Sequence, residues 1–237
     1  MRIVVLDGKT LNPGDNPWTE IEALGELTVY DRTTPEDTVR RASDAEIVLT
    51  NKTELPGEML AELPKLKLIC VLATGYNVVD PDAARERGIP VCNVPAYSTD
   101  SVAQLTLALL LELCHRVGRH NELVKVGEWS RREDFCFWRG ELIELAGLTM
   151  GIVGFGRIGR RAGELAHAFG MNVLAFDVSP GDAPQYERFA FKKLEDVFAE
   201  SNVVSLHCPL TEENAGMVDR ELLSRMKPSA MLINTAR

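Results

Sequence analysis

Residues 151–177, GIVGFGRIGRRAGELAHAFGMNVLAFD, contain the most informative pattern in the sequence. An apolar run ends at Gly154, and Gly156 and Gly159 follow before a helical pattern begins. In a strand–turn–helix unit of this kind the first glycine allows the tight turn and the second lets the backbone approach a pyrophosphate. The third lets the helix pack closely on the strand. The spacing therefore predicts a dinucleotide-binding unit, with the pyrophosphate on the free amides at the start of the helix.

Asp177 ends the next apolar run, ~20 residues beyond Gly156, which is the spacing expected for the acid that binds the adenosine ribose. A carboxylate at this position accepts hydrogen bonds from both ribose hydroxyls but repels a 2′-phosphate. Because no Arg or Lys follows in DVSPGD (177–182), the sequence predicts NAD rather than NADP. A purely structural glycine turn and a methyltransferase are the alternatives, but the third glycine and the long helix favour a dinucleotide.

Composition and charge narrow the class of protein. The 237 residues include 45% hydrophobic and 26% charged ones, as expected for a soluble globular chain of one or two domains. Lys and Arg number 26 against 35 Asp and Glu, and the net charge of −9 argues against nucleic acid as a partner. The longest apolar run, 105–111, is well short of the ~20 residues of a membrane span, and Asp7 interrupts the start too early for a secretory signal. We expect a cytoplasmic protein.

The cysteine pattern argues against disulfides and metals. Five cysteines is an odd number, they are widely spread, and none forms a CxxC pair; they stand at Cys70, Cys92, Cys114, Cys136 and Cys208. Such a pattern favours neither a disulfide framework nor a zinc site. We expect small buried apolar thiols and no metal.

Two series of alternating strands and helices predict two α/β lobes with parallel sheets. In the first series strands are expected at 2–7, 27–32, 46–51, 66–73 and 89–93. Residues 98–117 read as one long helix that is apolar on nearly all sides and is therefore expected to be buried between the lobes. Residues 119–147 read as a loop-rich excursion. In the second series strands are expected at 149–154, 172–177, 202–209 and 230–235, and helices at 157–169, 192–200 and 219–226.

With these elements placed, the chain resembles the D-isomer-specific 2-hydroxyacid dehydrogenases, most closely their glycerate dehydrogenase (hydroxypyruvate reductase) branch. The resemblance runs from end to end and rests on VLATGYNVVD (71–80), NVPAYSTDSVAQLTLALLLEL (93–113), DFCFW (134–138), GIVGFGRIGR (151–160), LHCPLTEEN (206–214) and MKPSAMLINTAR (226–237). It implies a flavodoxin-like substrate-binding lobe in residues 1–97, without its usual C-terminal return segment. It also implies a Rossmann NAD-binding lobe in residues 98–237, incomplete at its C-terminus, and a homodimer through that lobe.

The resemblance also assigns roles to matching residues. Thr74 and Gly75 would hold the substrate carboxylate with their amides, Thr74 would lie near the nicotinamide, and Trp138 is a candidate for the substrate pocket. Arg237 would be the catalytic arginine, contacting both substrate and cofactor, because a planar guanidinium can pair with a carboxylate and oppose charge growing on the adjacent oxygen. The remaining implied cofactor contacts are Gly154, Gly156, Arg157, Ile158, Gly159, Asp177, Cys208, Pro209, Thr235 and Ala236.

The resemblance predicts the reaction as well. An NAD-dependent oxidoreductase of this family transfers a hydride between nicotinamide and a small D-2-hydroxy acid or 2-keto acid, here glycerate/hydroxypyruvate or glyoxylate. The family takes its proton from a histidine oriented by a glutamate, and both follow the position of Arg237. His207 is a poor substitute, so we expect the chain ending at Arg237 to bind NAD weakly and to turn over slowly. The alternative function is a non-enzymatic NAD-sensing regulatory protein of the same fold.

Overall fold

The computed structural model describes residues 1–236, and the chain divides into an N-terminal unit, Met1–Tyr97, and a C-terminal unit, Ser98–Arg237. Each unit contains one sheet of five parallel strands with helices between them. The α/β class with parallel sheets, predicted from the alternating apolar runs, is confirmed. None of the helices described in residues 1–236 combines the length and the apolar character that crossing a membrane requires.

The N-terminal unit is built on a flavodoxin-like sheet. Its strands are β1 (Arg2–Val5), β2 (Glu26–Val29), β3 (Ile47–Thr50), β4 (Leu68–Val71) and β5 (Val91–Cys92). Its helices are α1 (Thr19–Glu22), α2 (Pro35–Ala42), α3 (Gly57–Ala61) and α4 (Pro81–Glu86), with a short 3-10 helix at Gly8–Thr10. The strand order β2-β1-β3-β4-β5 reverses direction at β1, so β1 and β3 form the switch point of the sheet.

The Asp7 carboxylate occupies that switch point. Asp7 lies two residues after the end of β1 and is only 3% exposed. Its carboxylate accepts the backbone N–H groups of Asn51 (2.9 Å), Lys52 and Thr53 (3.0 Å). These three residues follow β3, the neighbouring strand. A buried carboxylate needs such donors, because an unpaired charge away from water is costly. The carboxylate therefore fixes the loop that leaves β3.

The C-terminal unit has Rossmann topology. Its strands are β6 (Thr149–Val153), β7 (Asn172–Phe176), β8 (Phe189–Phe191), β9 (Val203–Leu206) and β10 (Met231–Asn234). Its helices are α5 (Thr99–His115), α6 (Val117–Lys125), α7 (Arg157–Ala168), α8 (Leu194–Glu200) and α9 (Arg220–Ser224), with a 3-10 turn at Trp129–Arg131. The order β10-β9-β6-β7-β8 is the dinucleotide-binding order, with its switch point between β6 and β9.

The long helix predicted at 98–117 differs from the structure in two respects. Arg116 adopts a left-handed conformation (φ 49°) that ends α5, and α6 follows where the sequence indicated a loop-rich excursion. The predicted burial on all sides is wrong for this unit. One face of α5 packs in the core with α7, but Leu105, Leu109 and Leu113 are 51%, 41% and 49% exposed. An apolar composition shows that a helix has apolar faces, not that the unit supplies a neighbour for each of them.

The role of Asp7 can be tested by Asp7→Asn. Hydrogen bonds to a charged acceptor contribute about 1.5–3 kcal/mol each, and an amide would place its own N–H groups opposite backbone donors. We expect the variant to lose about 2–3 kcal/mol in free energy of unfolding, measured by urea titration. The exposed Asp15→Asn is the matched control and should be neutral. Equal stability of the two variants would contradict the role of the buried carboxylate.

Candidate functional site

The glycine turn between β6 and α7 is shaped by two close backbone approaches. Gly154 has a φ of +91°, and a Cβ placed on it would lie 2.5 Å from the backbone nitrogen of Cys208 at the end of β9. A Cβ on Gly159 would lie 2.1 Å from the carbonyl oxygen of Gly154. No side chain fits at either position, so both glycines are required by the fold of the turn itself.

Gly156 is required for a different reason. Its backbone is extended (φ −76°, ψ −157°), and a Cβ there would meet nothing within 4 Å. The residue directly precedes the 12-residue helix α7, whose first amides and positive dipole end favour an anion. A side chain at Gly156 would therefore enter open space beside the start of α7. This cradle fits the pyrophosphate of a dinucleotide.

Two backbone N–H groups, one of them in the glycine turn, hold the Asp177 carboxylate in position. One carboxylate oxygen accepts the backbone N–H of Phe155 at 2.7 Å, and the other accepts that of Ser179 at 2.9 Å. Each carboxylate oxygen has a second lone pair, so the group can still accept hydroxyl donors. The acid at the end of β7 thus both braces the glycine turn and presents acceptors beside it, an arrangement suited to a ribose.

His207 joins three elements through a chain of hydroxyl groups. Its Nε2 lies 2.9 Å from the hydroxyl of Ser205, and its Nδ1 lies 3.4 Å from that of Thr235. The Thr235 hydroxyl in turn lies 3.3 Å from that of Thr106 on α5. Burial lowers the pKa of His207 to about 4, so the imidazole is neutral near pH 7. The chain ties the end of β10 to β9 and α5.

The carboxyl ends of β9 and β10 enclose a small cavity of about 150 Å³. Cys208, Pro209, Asn234 and Ala236 line it together with apolar residues of segment 210–218. Burial is the main cause that raises the pKa of the Cys208 thiol, and the Asp177 carboxylate adds to it. The structure thus brings the predicted residues Cys208, Pro209 and Ala236 together, with Asp177 close to Cys208.

Arg157 and Ile158 are the first two residues of α7, where Arg157 is exposed and Ile158 is half-buried. Trp138 is 63% exposed and lies in the irregular segment that follows α6. Its predicted role in the substrate pocket stays a prediction. Arg237, the predicted catalytic residue, lies outside the described residues.

Thr74 and Gly75 lie in the N-terminal unit, in the loop that leaves β4. The Thr74 hydroxyl donates to the carbonyl of Val94 at 3.0 Å, and the side-chain amide of Asn93 donates to the carbonyl of Thr74 at 2.8 Å. Because both carbonyl and hydroxyl are engaged, the loop is braced from the segment after β5. Sequence reasoning missed Asn93; its position directly after a strand that neighbours β4 was the available signal.

A larger depression of about 550 Å³ lies elsewhere in the N-terminal unit, at the amino ends of its strands. Its charged residues pair with one another, as Arg2 does with Asp44 (3.0 Å) and Lys67 with Glu46 (2.7 Å). Ligands of open α/β sheets bind at the carboxyl ends of the strands. The smaller cavity and the glycine turn are therefore the better site.

The two kinds of glycine in the turn give a matched test. Gly156→Ala should fold with unchanged stability but weaken NAD binding at least about tenfold, because its methyl group occupies the pyrophosphate space. Gly159→Ala should instead lower the free energy of unfolding by about 1–3 kcal/mol, because its methyl group overlaps backbone. Titration calorimetry and urea unfolding measure the two quantities. Undiminished NAD affinity in Gly156→Ala would show that the open space is not the cofactor cradle.

The desolvated, half-buried imidazole of His207 predicts a pH dependence of stability. The pKa of His207 falls from about 6.5 to about 4 on folding, so the unfolded chain binds the extra proton between these values. The stabilisation is complete above pH 6.5 and is lost as pH falls towards 4, by on the order of 3 kcal/mol. His207→Asn should remove this part of the slope in urea titrations from pH 7 to 4. The exposed His115→Asn should keep it, and an identical slope in all three proteins would contradict the assignment.

Comparisons with known proteins agree with this geometry. A family profile described as "D-isomer specific 2-hydroxyacid dehydrogenase, NAD binding domain" matches residues 107–237. Hydroxypyruvate reductase of Blautia hydrogenotrophica is 49% identical over the whole chain, which covers 74% of that protein. Glycerate dehydrogenase of Methylorubrum extorquens is 38% identical, again over the whole chain and 72% of the relative.

Solved structures show the same relation. The crystal structure of D-lactate dehydrogenase from Aquifex aeolicus, complexed with NAD and lactic acid, superposes with a TM-score of 0.82 at 32% identity. The match covers all of this chain and 69% of that one. The nucleotide turn, the strand order and these matches lead to one conclusion: the chain belongs to the D-isomer specific 2-hydroxyacid dehydrogenase family, and its cofactor is NAD.

Proposed function

We propose that this protein reduces a small 2-keto acid, hydroxypyruvate or glyoxylate, to the corresponding D-2-hydroxy acid with NADH. The names of its relatives from Blautia and Methylorubrum support hydroxypyruvate and glycerate as the pair of substrates. In this proposal the N-terminal unit binds the acid and the C-terminal unit binds NAD. A cytoplasmic location is part of the proposal.

The substrate class is proposed from the hydrogen bonding of the Thr74–Gly75 loop. Its carbonyl and hydroxyl are engaged with Asn93 and Val94. Within residues 1–236, the backbone N–H groups of Thr74 and Gly75 donate to no protein acceptor. Two adjacent amides on a braced loop at the carboxyl end of β4 suit a carboxylate, which can accept several N–H donors at once.

The carbonyl of the keto acid requires a second contact. Arg237 is the proposed partner, because a guanidinium is planar and permanently charged and can pair with the carboxylate while facing the neighbouring oxygen. It would stabilise the negative charge that grows on that oxygen during reduction. This role is carried over from the family motif that ends at Arg237.

On the cofactor side the bound nicotinamide supplies the hydride. Thr235, which precedes the proposed nicotinamide contact Ala236, is held through His207 and Thr106. His207 is not the proposed proton donor. Both its ring nitrogens face hydroxyl groups, and a pKa of about 4 leaves it without an acidic proton near neutral pH. Its contribution is to hold the end of β10.

The proposal is tested by the oxidation of NADH, followed at its absorbance, with hydroxypyruvate, glyoxylate and pyruvate. Both the 237-residue chain and any longer product of the same gene are assayed. We expect turnover of hydroxypyruvate or glyoxylate, with the D-hydroxy acid as product. Binding of NADH without turnover of any 2-keto acid by the longest product would favour the NAD-sensing alternative.

The variant Asn93→Ala tests the substrate side of the same reaction. Loss of the brace under Thr74 should raise KM for the keto acid about five- to tenfold, equivalent to about 1–1.4 kcal/mol, and leave KM for NADH unchanged. Asn121→Ala on α6 is the matched control, since its amide bonds only to the exposed Glu122 among the contacts observed. Equal changes in both Michaelis constants would indicate a general disturbance rather than a substrate-side role.

A homodimer through the C-terminal unit is also proposed. Leu105, Leu109 and Leu113 recur at helical spacing on one face of α5 and are exposed. Side chains four residues apart lie on the same face of a helix, and such apolar stripes typically mark an interface. Trp138, which is 63% exposed, lies in the same unit.

The dimer is tested by light scattering after gel filtration. The unsubstituted chain should elute as a dimer and Leu109→Asp as a monomer, because a carboxylate at the centre of the stripe would be buried without a partner. Leu24→Asp, at an exposed leucine of the N-terminal unit, should leave the dimer intact. A monomeric unsubstituted chain would rule the proposal out.

A further inference from the structure

The cysteines do not have the uniformly buried character that the sequence indicated. Among the five free thiols Cys114 is buried, Cys70 and Cys208 are half-buried, and Cys92 and Cys136 are exposed. Two of them, Cys70 on β4 and Cys92 on β5, are direct partners in the parallel register of the N-terminal sheet. This pairing is not used by the proposed reaction.

The two thiols share one face of the sheet. Their neighbours Ile69 and Val91 are also register partners and both pack into the same core cluster. Because successive side chains of a strand alternate between faces, Cys70 and Cys92 must both point to the opposite side. On that side Cys70 packs against the cluster formed by Ile3, Val5 and Leu49.

The spacing of the strands suits a covalent bond between these residues. Neighbouring strands lie about 4.7–4.9 Å apart, and disulfides join Cα atoms about 4.4–6.8 Å apart. β5 is an edge strand of only two residues, Val91–Cys92, so a small shift can adjust the approach of the sulfur atoms. Burial, and then the neighbouring Cys92, raise the pKa of the Cys70 thiol, and Cys92 is the solvent-accessible partner.

We propose that Cys70 and Cys92 are a modification site, which a peroxide converts into a reversible disulfide between β4 and β5. The Cys92 thiolate attacks hydrogen peroxide, the O–O bond breaks, and Cys92 sulfenic acid and hydroxide form. The hydroxide takes up the proton that the Cys92 thiol released. The Cys70 sulfur then displaces the sulfenic hydroxyl, which leaves as water with the proton of Cys70. Overall two thiols lose two electrons and one peroxide becomes two waters.

The bond would join β4 to β5 close to the point where the proposed carboxylate loop leaves β4. Asn93, which follows Cys92, donates to the carbonyl of Thr74, and Val94 exchanges hydrogen bonds with Ala73 and Thr74. These contacts join the same two strands just beyond the cysteine pair. A disulfide would therefore link the strands at the base of this loop.

The experiment maps the thiols of the purified chain after treatment with hydrogen peroxide. Remaining thiols are alkylated, and the protein is cut with trypsin and Glu-C protease. The second protease separates Cys92 from Cys114, which shares its tryptic peptide, at Glu112. We expect a cross-linked peptide pair containing Cys70 and Cys92, lighter by two hydrogen atoms than the reduced peptides, and its loss after dithiothreitol.

Matched variants complete the test. Cys92→Ser should abolish the cross-linked pair and leave Cys70 open to alkylation, whereas Cys136→Ser, at the other exposed cysteine, should retain it. Recovery of Cys92 only as a sulfinic or sulfonic acid beside alkylated Cys70 would overturn the proposal. A disulfide of Cys92 with another cysteine, or between two chains on a non-reducing gel, would do so as well. The mapping of the unsubstituted chain decides the question even if a variant fails to fold.

Discussion

The backbone contact between Gly154 and the end of β9 is the constraint on which the nucleotide site depends. A Cβ on Gly154 would come within 2.5 Å of the Cys208 nitrogen, so this approach exists only because the residue is glycine. It sets the end of β6 against the end of β9 at the switch point of the sheet. From there the chain turns through Gly156 into α7, and Asp177 holds the turn through the Phe155 amide. The positions of the Gly156 cradle, the Asp177 carboxylate and the cavity lined by Cys208 all depend on this close backbone approach.

The two units use the same strand arrangement in different ways. In the C-terminal unit the space around Gly156 at the switch point is left open. In the N-terminal unit the carboxylate of Asp7 occupies the amides of Asn51 and Thr53 at the corresponding place. An internal carboxylate thus satisfies donors that an external anion could have taken. One strand further along, the amides of Thr74 and Gly75 have no acceptor among the residues that the structure describes.

Much of the fold could be predicted because buried parallel strands are short apolar runs. The predicted strands that became β1, β4, β6 and β9 all contain the observed ones. β8 (Phe189–Phe191) was not predicted, because three half-buried residues are too short a run to show alternation. α6 was not predicted either, because glycine and mixed charges weaken its helical periodicity. The glycine turn was predictable because its parts are local. The His207 chain was not, because Thr235 and Thr106 stand 129 residues apart in the sequence.

Two parallel α/β units, a dinucleotide turn and an acid ~20 residues beyond its central glycine can be read from the sequence, because each depends on neighbours within one strand–turn–helix unit. The covered face of α5, the lowered pKa that keeps the half-buried His207 neutral, and the support of Thr74 by Asn93 depend instead on tertiary contacts. Tertiary structure also decided that Cys70 and Cys92 are partners. The physical reason is that burial and pairing depend on the register between strands, which is set by packing across the whole sheet and not by the residues of one segment.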